Sequence, residues 1–304
     1  MKVMVTGGSG FIGSHVVDQL VGLGHDVRVF DMILPQRDDV EHYQGSLLEL
    51  EQLRMGMAGV DAVYHLAAVA NVNAVYDEPI YSESINTRGT INVLEAARYN
   101  AVKRVIYGGT TWVYSNAKDA EVFEDTPLGA PDHLYTATKL VSEYYCRSYS
   151  ELYNLPTTVL RYGIPYGPRA RAATVGAIFV RKAMAGEPLT VAGDGSQFRY
   201  FVYVEDLARG NALALNPVAR NQIYNLDGRE KVTILQIAET VQKIIGDGEI
   251  VHTEARPGDF AGKTVNSDKA ERDLEWVPQV NFEEGMRRYV EWYKEHGESE
   301  QVWL

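Results

Sequence analysis

The sequence has a single cysteine, Cys146, no uninterrupted apolar run near the length of a bilayer span, and no basic tail or stripe. One thiol cannot close an intramolecular disulfide, which fits a reducing compartment. Cys146 lies in a stretch with helical spacing and reads as core packing. A membrane helix needs about 20 apolar residues, and the chain opens on a strand pattern with no basic-then-apolar leader, so a soluble, cytoplasmic protein without membrane contact is expected. The formal net charge of -12 is spread along the chain, which argues against nucleic acid as a partner. The seven histidines lie far apart with no metal-ligand spacing, so no metal is expected. No repeat, low-complexity tract or clear linker interrupts the chain.

What is present is ordinary globular composition: 304 residues, 45% hydrophobic and 23% charged, enough to bury a sizeable core without disulfides or metals. An acidic chain that binds a phosphorylated ligand must supply local arginines and backbone N–H groups.

The first half alternates short apolar runs with helical patterns. Strands are expected at 3–6, 27–31, 62–66, 104–108 and 157–161, and helices at 11–23, 86–99 and 135–153. Such alternation builds a doubly wound parallel sheet of the Rossmann type. After Pro165 it gives way to loops, short strands near 189–191 and 199–202, and amphipathic helices near 174–185, 205–215 and 234–245. The expected division is a cofactor domain over 1–165, with some later segments returning to it, and a smaller mixed α/β part over 166–304 that grips the substrate.

Gly7-x-x-Gly10-x-x-Gly13 follows the first strand and opens the first helix. Its glycines allow a tight turn, close approach of a pyrophosphate and close helix–strand packing, while the helix N-terminus favours negative charge. Phe11 and Ile12, in the first helical turn, join this candidate cofactor site. Asp31 ends the second strand at the distance of about 20 residues expected for a carboxylate on the adenosine ribose. A carboxylate there would repel a 2′-phosphate, so NAD is favoured over NADP; Arg37, a few residues on, reads as a solvated loop residue.

Tyr135-Thr-Ala-Thr-Lys139 starts a predicted helix, and a spacing of four places phenol and ammonium on one face. A cation stabilises a phenolate and brings a tyrosine, which titrates near ~10 unperturbed, toward the range of a general base.

Together with these motifs, His65-Leu-Ala-Ala68, Asn86, Gly89-Thr90, Asn92-Val-Leu-Glu-Ala-Ala97, Arg161-Tyr162, Tyr166-Gly-Pro-Arg169, Gly193-Asp-Gly-x-Gln-x-Arg199 and Arg256-Pro-Gly-Asp259 make the chain resemble the extended short-chain dehydrogenase/reductases. Within them it is similar to the NAD-dependent sugar-nucleotide epimerases and dehydratases, with a pattern most like the UDP-glucose 4-epimerase type. The resemblance runs from Met1 to about Trp292. It implies that Thr110 hydrogen-bonds the reacting hydroxyl, that Tyr135 takes its proton, and that Lys139 holds the cofactor ribose and tunes Tyr135. It further implies that Leu66, Ala67 and Ala68 line the cofactor, that Asn86 orders the adjoining backbone, that Tyr162 lies near the nicotinamide, and that Arg199 and Arg256 contact a substrate diphosphate. Arg169 and Arg171 are further candidates. Family members commonly dimerise through the helices that begin near Asn86 and Tyr135, where Tyr144, Tyr145 and Tyr149 offer contact area.

The chain also departs from the family. Ser46-Leu47 replaces the usual acidic pair partner at the adenine, Ile164 replaces a substrate-facing Asn, and Tyr200 follows Arg199 where an Asp is common. Thr111 and Trp112, candidate substrate contacts, stand where dehydratases and decarboxylases usually carry an acid, which favours an epimerase acting on a nucleotide sugar. A dehydratase, decarboxylase or ketoreductase of the same family stays open, as does a nucleotide-binding scaffold without chemistry.

Overall fold

The computed structural model describes residues 1–254 and 263–297. Seven strands form one parallel sheet: β1 (Lys2–Thr6), β2 (Asp26–Asp31), β3 (Glu41–Gln44), β4 (Ala62–His65), β5 (Arg104–Thr110), β6 (Thr157–Tyr162) and β7 (Gln222–Leu226). Their order across the sheet is β7-β6-β5-β4-β1-β2-β3, every neighbouring pair parallel. The apolar runs are continuous, without alternation, because helices cover both faces. Val3, Met4 and Val5 are all fully buried.

One face is covered by α1 (Phe11–Gly22) and by a helix from the second half, Val204–Leu213; Val16, Leu20, Leu207 and Ala208 share a core there with Val3 and Val5. The other face is covered by α2 (Gly89–Tyr99) and α3 (Leu134–Tyr153), whose Val93, Leu94 and Cys146 pack with Met4, Phe30 and Val105. Cys146 is buried, and its thiol is pushed above its ordinary pKa by that burial, so it packs as an inert small hydrophobe.

The expected strands and long helices are all present. The expectation lacked β3, and β7 is contributed by residues 222–226, so the second half supplies both a strand and a helix to the sheet. The helix expected from Asn86 begins earlier, with Pro79–Glu83, and passes through a single π turn, Ser84–Arg88, before α2. A third core, with Phe179, Leu189, Ile237, Val241 and Met286, holds the C-terminal part together. Its helices are α4 (Val175–Met184), α5 (Ile234–Ile245) and α6 (Phe282–His296). Among the described residues, no helix is long and apolar enough to cross a membrane.

Candidate active site

The strand order reverses between β4 and β2 about β1, and a cavity of about 310 Å³ opens there, at the carboxyl ends of the strands. Its walls include Gly7, Gly10, Phe11, Ile12 and Gly13 from the glycine loop, Asp31 from β2, Ser46 and Leu47 beyond β3, and Leu66, Ala67 and Ala68 beyond β4. All eleven were expected from the sequence.

The glycines are required by the local geometry. Gly7 has φ 71°, and a Cβ on it would lie 2.6 Å from the Ala67 nitrogen; a Cβ on Gly13 would lie 2.0 Å from the Gly7 carbonyl oxygen. Gly10 caps α1 without a side chain, so the first N–H groups of the helix face the cavity free for an anion. Asp31 accepts from the Ser9 amide at 3.1 Å and from the Met32 amide at 2.7 Å, which joins the end of β2 to the glycine loop. A dinucleotide fits this cradle: phosphates at the bare helix end, a ribose at the carboxylate.

The family motifs have visible mechanical reasons. The Asn86 carboxamide accepts from the Val69 amide at 2.8 Å and donates to the Val69 carbonyl at 3.0 Å, ordering the backbone beside the cavity. Its place in the π turn is a local widening of the kind found at functional sites. Asn92 donates to the Leu47 carbonyl at 2.9 Å, and Gly89 leaves the room that Leu47 fills. Ser46 accepts from the Leu48 amide, so its hydroxyl is engaged locally. His65 is held between the hydroxyls of Thr6 (2.8 Å) and Thr90 (3.0 Å), and burial lowers its pKa to about 3: it is a neutral structural group.

Of the candidate catalytic residues, Tyr135 lies in the first turn of α3 and Thr110 at the end of β5. Burial raises the phenol pKa; the Arg171 guanidinium and a hydrogen bond with Thr110 act in the opposite direction. Lys139, one turn on, is buried with its Nζ 4.4 Å from the centre of the Tyr107 ring. Desolvation lowers its pKa to about 8, while the charge of Glu143 supports its protonated form. Thr110 is set by the turn that follows it: Thr110 Oγ1 accepts from the Trp112 amide at 3.2 Å. Tyr114, at the end of that turn, accepts from Arg161 Nη1 at 2.6 Å and donates to Asn225 at 2.8 Å. Arg161 in turn makes a buried ion pair with Glu143 at 2.8 Å. Sequence reading singled out Arg161 but not Glu143, although Glu143 continues the Tyr135, Lys139 face at the same spacing of four.

Tyr162 is buried against Gly108 with its hydroxyl on Asn211 and is not among the residues that line the cavity. Thr111 is half-buried; Trp112 is exposed, its ring edge-on to His133. A second cavity, also about 310 Å³, is apolar and includes Ile164, Phe201, Met286 and Tyr289 together with Arg199. Pro165, in a short strand Ile164–Tyr166, lines both cavities, so this strand and the loop that follows it to Thr174 lie between them. Ile164 thus presents an apolar group to this second cavity. Tyr200 has its hydroxyl on Thr264. Arg256 lies outside the described residues.

One arginine falls differently from the expectation. Arg169, offered as a diphosphate contact, is bonded to Asp18 on α1 at 2.8 Å. Arg37 is a part-exposed loop residue, as expected, and pairs with Asp39 and with the same Asp18.

The profile of the NAD dependent epimerase/dehydratase family matches residues 3–227. The chain belongs to that family. It is 32% identical to the UDP-glucose 4-epimerase of Thermotoga maritima, solved with UDP-glucose, with a TM-score of 0.90 and coverage of 97% of this chain and 99% of that one. It is 30% identical to the UDP-glucuronate 4-epimerase of Thermodesulfobacterium geofontis, covering 96% of each chain. It is also 28% identical to a dTDP-glucose 4,6-dehydratase from Streptomyces venezuelae solved with NAD bound, with a TM-score of 0.88 and coverage of 97% and 98%. Family members with different net reactions therefore share this whole architecture, and NAD is their common cofactor. The family's cofactor is the group for which the glycine cradle and Asp31 are shaped.

Proposed function

We propose that this chain is a nucleotide-sugar 4-epimerase, inverting C4 of a UDP-, dTDP- or GDP-sugar through the 4-keto sugar. The observation that carries the reading is the absence of a carboxylate where an elimination or decarboxylation would use one. Thr111 and Trp112, neither of them acidic, follow Thr110; the two cavities, whose described linings hold Asp31 as their one carboxylate, do not themselves include Thr110, Tyr135 or Lys139. Glu143, the nearest acid along α3, is committed to Arg161.

Bound NAD supplies the acceptor and donor of a hydride. Thr110 and Tyr135 hold the C4 hydroxyl, and Tyr135 removes its proton and later returns one. Lys139 supports the phenolate. Arg199 takes the diphosphate from the substrate cavity, since a planar guanidinium pairs with phosphate oxygens. Ile164 and Phe201 leave the wall apolar, so the keto sugar can turn over without being held by a directed hydrogen bond on that side.

A panel of C4-epimeric nucleotide sugars incubated with the purified, NAD-loaded protein tests this. Interconversion of one pair without net change of NAD is expected. Release of a dehydrated or decarboxylated sugar, or stoichiometric consumption of reduced cofactor, overturns it.

The homodimer belongs to the same proposal. Tyr144 faces outward on α3, as do Tyr76 and Ile80 on the short helices before α2. Tyr145 is half-buried against the subunit core and Tyr149 donates to Glu95 at 2.7 Å, so each offers less area than Tyr144. Light scattering at twice the monomer mass is the expected result.

A further inference from the structure

The helix whose N-terminus opens on the cofactor cavity, α1, carries Phe11, His15 and Asp18 along one flank, at spacings of four and three. Phe11 lines that cavity and meets the His15 ring edge-on. His15 Nε2 donates to the Pro168 carbonyl at 3.0 Å, and burial lowers its pKa to about 4, so the imidazole is neutral. Asp18, one turn on, holds two arginines at once. Its Oδ1 accepts from Arg37 Nη1 at 3.2 Å and its Oδ2 from Arg169 Nη1 at 2.8 Å.

The two arginines belong to different segments of the cofactor cavity wall. Arg37 lies on the loop after β2, whose Met32 and Ile33 line the cavity beside Asp31, and Asp39 holds it within that loop. Arg169 lies between Pro165 and Arg171, which line the same cavity, while its neighbours Gly167 and Ala170 line the second one. The backbone of Arg169 has φ 64°, in the left-handed region that is disfavoured for a residue with a Cβ. Among the described non-glycine residues with positive φ, it is the one with an immediate neighbour, Ala170, on a cavity wall.

We propose that Asp18 is a positioning residue for the cofactor: through Arg37 and Arg169 it pins two segments of the cavity wall to α1 and so slows the escape of bound NAD. Asp18 lines neither cavity, so a change there removes no wall group from a ligand. The Arg169 pair leaves 24% and 31% of its side chains exposed, and such a pair adds little to global stability. Its effect is local. Together with the His15 bond it holds Arg169 in a backbone conformation that the residue does not favour by itself, and that conformation sets where Pro165 and Arg171 stand. Segments that must move aside for a ligand to leave act on the dissociation rate more than on association.

The inference rests on NAD as the family's cofactor and not on the sugar chemistry, so its test needs no substrate. Protein loaded with labelled NAD is chased with excess unlabelled NAD, and release is followed in wild type, Asp18→Asn, Arg169→Ala, their double variant and Arg169→Gly. Release is expected to be about five- to tenfold faster in Asp18→Asn and in Arg169→Ala. The double variant should be no faster than Asp18→Asn, since both changes break one link. Glycine takes the left-handed conformation unaided, so Arg169→Gly is expected within about twofold of wild type. Unfolding temperatures should stay within about 2 °C of wild type, which separates a positioning role from a general loss of stability. Release at the wild-type rate in Asp18→Asn overturns the proposal. Equal acceleration in Arg169→Gly and Arg169→Ala does so too, because the arginine would then act through its charge alone. If no nucleotide sugar is epimerised, the release rates still decide the role of Asp18; if the release rates do not move, the epimerase reading is untouched.

Discussion

The ammonium of Lys139 stands 4.4 Å from the centre of the Tyr107 ring, so this cation is sunk against an aromatic face in the middle of β5. Burial there costs the charged form, which is why its pKa falls to about 8. Methionine has similar length and no charge. Lys139→Met is expected to fold and to unfold at the same temperature as wild type or higher, while turnover falls at least about a hundredfold. Thermal unfolding and turnover on one preparation check both halves, and wild-type turnover would remove Lys139 from the mechanism.

Asp31 both receives the ribose in the proposed complex and ties β2 to the amide of Ser9. Asparagine keeps one acceptor and loses the charge. Asp31→Asn is expected to weaken NAD binding about ten- to a hundredfold, as for loss of a charge-assisted hydrogen bond. The preference for NAD over NADP should narrow at the same time, measured by titrating each cofactor. A variant with unchanged preference would show that another residue makes the selection.

The Arg161–Glu143 pair is buried on both sides and carries Tyr114, hence the turn that positions Thr110. Removing one partner leaves the other charge uncompensated. Arg161→Ala is expected to lose about 3–5 kcal/mol in denaturant unfolding. Glu143→Gln together with Arg161→Met should recover part of that loss, because neither charge then remains.

Asp227 lies just past β7 in the space over Gly163, where a Cβ would come within 1.9 Å of its Oδ1. Burial raises its carboxyl pKa to about 7, only partly offset by the Gly228 amide that donates to it at 2.8 Å. The folded state holds this proton more tightly than the unfolded chain, which releases it near pH ~4. Its contribution is fully present below that value and is lost as pH rises toward 7. Asp227→Asn should match wild type near pH 4 and be the more stable above pH 7, by up to about 4 kcal/mol for a shift of this size. Melting curves of the pair at several pH values read the difference, and parallel curves would contradict the assignment.

Much of this was legible in the residues. The glycine loop, Asp31 and the Tyr135, Lys139 spacing each depend on a few neighbours in the chain, so their geometry follows from strand and helix periods alone. The strand β3 was not legible: Glu41–Gln44 is short, polar and at the sheet edge, without the apolar run that marked the others. The π turn at Asn86 was hidden for a related reason, since helical spacing is the same on either side of it and only the reach to Val69 demands the wider turn.

The sequence by itself determined the parallel sheet, the glycine loop and the shared helix face of Tyr135 and Lys139, because each is encoded in local periodicity and in residue types with few conformational alternatives. Tertiary structure alone decided what the charges do. Arg169 and Arg171 are neighbours in sequence and equivalent as arginines. Yet one is drawn to Asp18, 151 residues away, and the other lines the wall of the cofactor cavity. A charge takes its partner from whatever element folding brings beside it, and no local pattern carries that information.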